Sequence, residues 1–272
     1  MPRNAYVRRI SLPLFVLFAL SVVPSGLAQA QQAGKPFEPT VGQAGKDVVW
    51  VPTPQPLVEK MLDLAKIGPG DVHYDLGSGD GRTVITAAKR GARAFGIEYN
   101  PDMVELSRRN AAAAKVSPDR ATFVQADLFE TDFSKANVVT MFLLPSINMK
   151  LRPKILDMAP GTRIVANTFT MEDWQADVTE TISGDCVSWC TALLWIVPAK
   201  VEGTWRMGSQ LLTLTQKFQM LEGTLDGAAI SDAKMTGADI AFTVNGARYT
   251  GRVSGNTIKG TGPNGSFSAT RG

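Results

Sequence analysis

An α/β fold in two modules is predicted for this chain: a parallel, doubly wound sheet followed by a small C-terminal antiparallel β domain. Three observations carry that expectation. Short apolar runs alternate with helix-like segments between residues 48 and 198, the rhythm of strand–helix–strand units. The first of these runs, Val72 to Leu76, breaks into the glycine-rich acidic loop Gly77-Ser78-Gly79-Asp80-Gly81. From Val201 onward the texture changes to short alternating segments parted by Gly, Asn and Asp turns, the pattern of a meander or small barrel.

Residues 1–30 read as an export signal, or as an anchor if retained. Arg3, Arg8 and Arg9 precede the apolar run Ile10 to Val23, and Ala28-Gln29-Ala30 is a small-residue cleavage site. The run is short for a membrane span, which needs about 20 residues, so a periplasmic or secreted protein is expected. The whole chain holds 28 basic and 25 acidic residues. The segment carries three of the arginines and no acid, so the remainder is balanced at 25 against 25. The basic excess therefore belongs to the leader and gives no reason to expect a nucleic-acid partner. Residues 31–198 carry 17 basic and 20 acidic side chains, against 8 and 5 in residues 199–272.

Residues 31–47 are polar and read as a linker. Val48 to Pro54 is held extended by its prolines. A helical stripe follows, with Leu57, Val58, Met61, Leu62 and Ala65 on one face of Pro56 to Ala65. After the glycine loop, Thr83 to Arg90 is a helix. The second strand runs to Gly96-Ile97-Glu98, and Pro101 opens another helix that ends at Ala114. Ala121 to Phe129 reads as the third strand and Asn137 to Phe142 as the fourth. Leu151 to Met158 is a helix, Arg163 to Phe169 a fifth strand, and residues 178–198 contain closing strands. In the last module, residues 201–206, 211–220, 223–225, 229–236, 240–244, 248–253, 257–260 and 266–270 alternate apolar with polar. Asn245-Gly246, Gly255-Asn256 and Asn264-Gly265 are hairpin turns.

The glycine loop defines the ligand. Gly77, Gly79 and Gly81 allow close backbone approach, but their G-x-G-x-G spacing is one residue short of the dinucleotide fingerprint. Asp75 and Asp80 in the loop, with Glu98 at the next strand end, would repel a pyrophosphate. They suit a ligand with an ammonium, a sulfonium and a ribose diol, and S-adenosylmethionine is such a ligand. Glu98 is placed to accept from the ribose hydroxyls. Asp127 can accept from the adenine amine, with Leu128 and Phe129 as apolar cover. Asp80 divides between that ligand's ammonium and a helix cap. Phe142, Leu143, Leu144 and Pro145, at the fourth strand end, line either an acceptor entrance or ordinary core.

Val51-Pro52-Thr53-Pro54, Asp75 to Arg82, Glu98-Tyr99-Asn100-Pro101, Ser107-Arg108, Phe142 to Pro145, Gly161 to Val165 and Trp174 occur in an order that resembles the class I S-adenosylmethionine-dependent methyltransferases. Within that class they resemble the lysine methyltransferases that include the ATP-synthase c-subunit enzyme. The resemblance covers about residues 45 to 198 and implies a Rossmann-like sheet. It also implies cofactor contacts from Asp75, Gly77, Ser78, Gly79, Asp80, Gly81, Glu98, Asn100, Asp127 and Leu128, with Phe142, Leu144 and Pro145 at the acceptor entrance. It brings Trp50 and Thr53 over the cofactor mouth, where a core position for Trp50 is equally open, and Trp174 to the acceptor channel or the core.

A protein lysine is the acceptor that the resemblance implies. A small-molecule acceptor and a non-catalytic S-adenosylmethionine-binding protein are the alternatives. Leu144-Pro145 lacks the amide or acid that would accept from a planar base amine, which argues against base methylation. His73, the single histidine, lies inside the first strand, so Ser-His-Asp and Cys-His catalysis are excluded. Cys186 and Cys190 lie four apart without a histidine, a poor metal site. A local disulfide and two small apolar side chains are both open for them.

Overall fold

The computed structural model describes residues 1–2 and 36–272. The expected export signal, and residues 31–35 of the expected linker, lie outside the described residues.

The first module contains helices α1 (Gln55–Leu64), α2 (Arg82–Lys89), α3 (Pro101–Ala113) and α4 (Pro145–Leu156). Its strands are β1 (Val72–Leu76), β2 (Arg93–Glu98), β3 (Ala121–Gln125), β4 (Val138–Met141), β5 (Arg163–Asn167), β6 (Val178–Thr181) and β7 (Thr191–Ile196). They form one sheet in the order β3-β2-β1-β4-β5-β7-β6. The four residues of β4 are all buried, as a central strand covered on both faces requires. One face packs on α1, α2 and α3 through Leu57, Val58, Val84, Val104 and their neighbours. The other packs on α4 and on Phe133 and Trp174.

The sheet is not parallel throughout. β7 runs antiparallel to both β5 and β6, with Asn167 opposite Ala192 and Thr181 opposite Thr191. A run of Ala, Leu, Trp and Ile reads as a strand in either direction, so the reversal has no local signal. β3 also stops early, at Gln125. The Asp127 carboxylate accepts from the Phe129 N–H at 2.8 Å, and the chain curls into a turn instead of continuing as strand. α4 starts six residues before the expected Leu151, because Pro145 sits at its first turn, where a missing N–H costs nothing. Pro153 lies inside this helix.

The second module is a closed barrel in the order β10-β11-β12-β13-β14-β15-β8-β9. Its strands are β8 (Gly203–Met207), β9 (Gln210–Lys217), β10 (Met220–Leu225), β11 (Ala228–Thr236), β12 (Asp239–Val244), β13 (Ala247–Ser254), β14 (Thr257–Gly262) and β15 (Gly265–Arg271). The expected single strand 211–220 is two, because Phe218, with φ of 53°, turns the chain between Lys217 and Met220. At the β12–β13 turn Asn245 and Gly246 both have positive φ, as the Asn-Gly signal requires. Trp205, Phe242 and Leu212 fill the interior.

The barrel docks on the sheet module beside Trp174, whose ring stacks on Phe218 at 5.6 Å. The Gln219 amide donates to the Gln175 carbonyl at 2.8 Å, and Lys234 pairs with Asp177 at 2.9 Å. Trp174 is thus a fully buried core residue, its backbone carbonyl accepting from Trp195 Nε1 at 2.8 Å. It does not line an acceptor channel.

Candidate functional site

A cavity of about 550 Å³ opens at the carboxyl ends of β1, β2 and β4. Ligands bind outside strand ends of this kind in open α/β sheets. Of the expected residues, Asp75, Gly77, Ser78, Gly79, Asp80, Glu98, Asn100, Asp127, Leu128, Phe142 and Leu144 line it.

Three expected residues do not. Gly81 starts α2 with φ of 82°, and a Cβ there would come within 2.8 Å of the Phe123 ring and 2.9 Å of Ser107. It is a packing glycine behind the loop. Pro145 is turned into the first turn of α4, away from the lining. Phe129, the expected apolar cover, packs instead with the α4-side core, under the Lys150 ammonium.

The loop is held from behind by α3. Ser107 Oγ donates to the Gly79 carbonyl at 2.8 Å, and Asn110 Nδ2 donates to the Asp80 carbonyl at 2.9 Å. From the next strand, Ile97 O accepts from the Gly77 and Ser78 N–H groups at 2.9 and 3.0 Å. Glu98 is oriented by two backbone donors, the N–H groups of Gly79 and Asn100, each at 3.0 Å. The Asn100 side-chain oxygen caps α3 through the N–H groups of Asp102 and Met103.

The carboxylates are not equivalent. Asp80 is paired with Arg82, whose Nη2 donates at 2.6 Å. Arg82 also ties the loop to the entry segment by donating to the Thr53 carbonyl at 2.9 Å. Asp127 pairs with Lys46, which together with the Phe129 N–H holds its carboxyl below the usual range. Among the described residues Asp75 has no basic partner. It is buried and accepts from Thr140 Oγ1 at 2.6 Å. Burial, reinforced by the charges of Asp80 and Glu98, pushes its carboxyl up to about 7. A cationic ligand group beside it would relieve that penalty.

His73 sits behind this acid. Its Nε2 lies 2.7 Å from the same Thr140 hydroxyl, and burial lowers the imidazole to about 3. It is a neutral core residue with no place in the cavity lining.

The entry segment does more than link. Two backbone hydrogen bonds close a small hairpin, the Trp50 N–H donating to Gln43 O at 2.9 Å and the Gly42 N–H donating to Trp50 O at 2.9 Å. This hairpin brings Gln43, Lys46 and Trp50 to the mouth, where Lys46 Nζ stands 4.8 Å over the Tyr99 ring. A Cβ on Gly79 would lie 2.7 Å from Trp50 Nε1, so only glycine lets the loop pass beneath this indole. Trp50 is therefore at the mouth rather than in the core.

At the other end of the cavity Phe142 stacks on Phe169 at 5.8 Å and meets Trp189 at 6.0 Å. Phe169, Trp189, Lys46 and Gln43 were not legible as site residues. Trp189 alone had a signal, its place beside Cys190. Cys186 and Cys190 form a disulfide in the β6–β7 loop, not on a helix, with a Cα–Cα distance of 5.8 Å.

The residues present fit S-adenosylmethionine. The loop has no Cβ at Gly77 or Gly79, and Ser78 Oγ is buried without a hydrogen-bond partner among the described residues. Acids of three successive strand ends, Asp75, Glu98 and Asp127, face one cavity whose remaining lining is largely apolar.

Comparison with known proteins agrees. A family model, the ANTKMT methyltransferase domain, matches residues 75–178. A protein-lysine N-methyltransferase of Saccharolobus islandicus is 43% identical over 130 residues, covering 47% of this chain and 80% of that protein. The ATP-synthase c-subunit lysine N-methyltransferase of Mus musculus is 36% identical over 131 residues, covering 48% of this chain. The chain spans about half the length of that mouse relative, 52%. A crystal structure of an RNA methyltransferase from Salinibacter ruber, in complex with S-adenosyl-L-homocysteine, superposes with a TM-score of 0.52 at 48% identity. It covers 56% of this chain and 96% of that one.

Proposed function

This chain belongs to the S-adenosylmethionine-dependent methyltransferases of the protein-lysine N-methyltransferase family, and from that premise we propose that it methylates the ε-amine of a lysine in a protein substrate. The observation that carries the proposal is the ring-lined end of the cavity formed by Phe142, Leu144, Phe169 and Trp189, which we read as the acceptor mouth.

S-adenosylmethionine supplies an electrophilic methyl group on a good leaving group. The chain's own residues do the holding. Asp75 and the Gly77–Gly79 backbone would take the ammonium end, Glu98 the ribose hydroxyls, and Asp127 with Leu128 the adenine. The aromatic mouth then does two things for a lysine. It aligns the amine for in-line attack, and its low polarity favours the neutral amine that attack requires. No side chain is needed as a strong base, and the buried His73 offers none.

The Salinibacter ruber structure favours a second reading, an RNA acceptor. Against it stand the excess of acid over base in residues 31–198, 20 to 17, and the want of a polar group at Leu144-Pro145 to accept from a base amine. Export belongs to the proposal as well. The composition of residues 1–30 and the Cys186–Cys190 disulfide support an oxidising location outside the cytoplasm.

The test is incubation with radiolabelled S-adenosylmethionine and, separately, a protein extract, total RNA and a small-molecule fraction. Label in protein, released as methylated lysine on hydrolysis, is the expected result. Label confined to RNA or to small molecules would replace the lysine reading. Binding without label in any fraction would leave a non-catalytic protein.

A further inference from the structure

The family match ends at residue 178, and the β6–β7 loop that follows lies beyond it. Because β7 is antiparallel to β5, the residues that precede it lie at the same end of the sheet as the carboxyl end of β5. Asn167 pairs with Ala192, and the Thr168 N–H donates to Thr191 O at 2.7 Å. The reversal thus carries a loop from the sheet's far edge to the crevice. At its end stands Trp189, 44% exposed, against Phe142 and in the cavity lining.

Its backbone is in the left-handed region, with φ of 54°. That conformation is unfavourable for a bulky side chain and persists only when the surroundings enforce it. The enforcing element is adjacent. Cys190 is disulfide-bonded to Cys186, and its carbonyl accepts from the Ile182 N–H at 2.9 Å. The residue that follows Trp189 is therefore tied twice, by a covalent cross-link and by the strand pair.

We infer that Trp189, clipped in place by the Cys186–Cys190 disulfide, is a specificity-determining residue that receives the lysine acceptor against Phe142 and Phe169. The inference rests on the lysine reading above. An aliphatic stem ending in an amine is matched by ring faces, which take up the methylenes by apolar contact. The disulfide is a positioning element. It makes no contact with substrate in this scheme, and acts by keeping the indole at the mouth.

The experiment uses the full chain, tritiated S-adenosylmethionine and a panel of lysine-containing peptides, with cofactor affinity followed by calorimetry. Trp189→Ala should raise the peptide KM about tenfold, the loss of one apolar ring contact, with cofactor affinity within about twofold. Trp189→Phe should restore most of the loss. The Cys186→Ser/Cys190→Ser double variant should raise KM in the same way, which mere structural damage, lowering kcat and cofactor binding together, would not do. If wild type labels peptides and Trp189→Ala keeps its KM within twofold, the inference is overturned while the lysine assignment survives. An unchanged KM in a folded double variant overturns the clip; should that variant not fold, the Trp189 pair of variants decides. If wild type binds cofactor and labels no peptide, the lysine assignment fails and takes this inference with it.

Discussion

His73 and Asp75 share one hydroxyl. Thr140 Oγ1 lies 2.7 Å from His73 Nε2 and 2.6 Å from Asp75 Oδ1. With the hydroxyl hydrogen given to the carboxylate, the imidazole donates from Nε2, and its Nδ1 is buried without a hydrogen-bond partner among the described residues. Burial moves the two groups in opposite directions, the acid up to about 7 and the imidazole down to about 3.

That opposition predicts a specific pH profile. Unfolded, the imidazole titrates at 6.5 and the acid at 3.8. Between those values the unfolded pair holds one proton, on the imidazole, and the folded pair holds one, on the acid. The proton counts are equal, so the pair contributes no slope. His73→Gln leaves the raised acid alone: the folded state then binds the extra proton, and stability falls with rising pH by up to about 1.4 kcal/mol per unit. Asp75→Asn leaves the depressed imidazole: the unfolded state binds the extra proton, and stability rises with pH by the same amount. Urea unfolding at pH 4.5 and 6.5 measures both. Parallel profiles for the two variants would refute the scheme.

Cofactor binding should release a proton near neutrality. A cationic ligand beside Asp75 lowers its pKa from about 7, so a carboxyl half protonated at that pH ionises on binding. Calorimetry at pH 6.5 in two buffers of different ionisation enthalpy should give different apparent enthalpies for wild type and equal ones for Asp75→Asn. The variant should also bind about tenfold more weakly, the loss of one charge interaction of about 1.4 kcal/mol.

The Lys46–Asp127 pair fastens the entry hairpin across the mouth of the cavity. Both side chains are partly exposed, so salt screens the pair. In stopped-flow binding, wild type should take up cofactor faster as ionic strength rises, while Lys46→Ala should be fast at all salt concentrations. A wild-type rate independent of salt would mean the hairpin does not limit entry.

Trp174 and Trp189 should separate stability from recognition. Trp174→Ala empties a fully buried site against Phe218 and Trp195, a loss of about 3–5 kcal/mol. Thermal unfolding should register this strongly, and the peptide KM of the folded fraction should not move. Trp189, partly exposed on a loop, should show the converse.

The strand-end carboxylates and the glycine loop were legible because they depend on short spacings. Asp75, Gly79 and Glu98 are placed by two adjacent strands and the turn between strand and helix. Gly81 was misplaced because its function is to make room for Phe123, a residue 42 positions away. Pro145 was misplaced because a proline after a strand reads equally as its end or as the first residue of a helix. Trp174 matched a motif, but only the docking of Phe218 makes it core.

What the linear chain determined by itself was the nucleotide-type cavity, its acidic character, the family and the presence of a turn-rich β module. These follow from local dihedral freedom, charge and periodicity, which neighbours along the chain establish. The tertiary structure decided the direction of β7, the closure of the barrel, the seat of Lys46 on Asp127 and the disulfide that holds Trp189. Each of those joins segments with no local pattern in common. The physical reason is that strand direction, ion pairing and cross-linking depend on which surfaces meet once the apolar faces are buried.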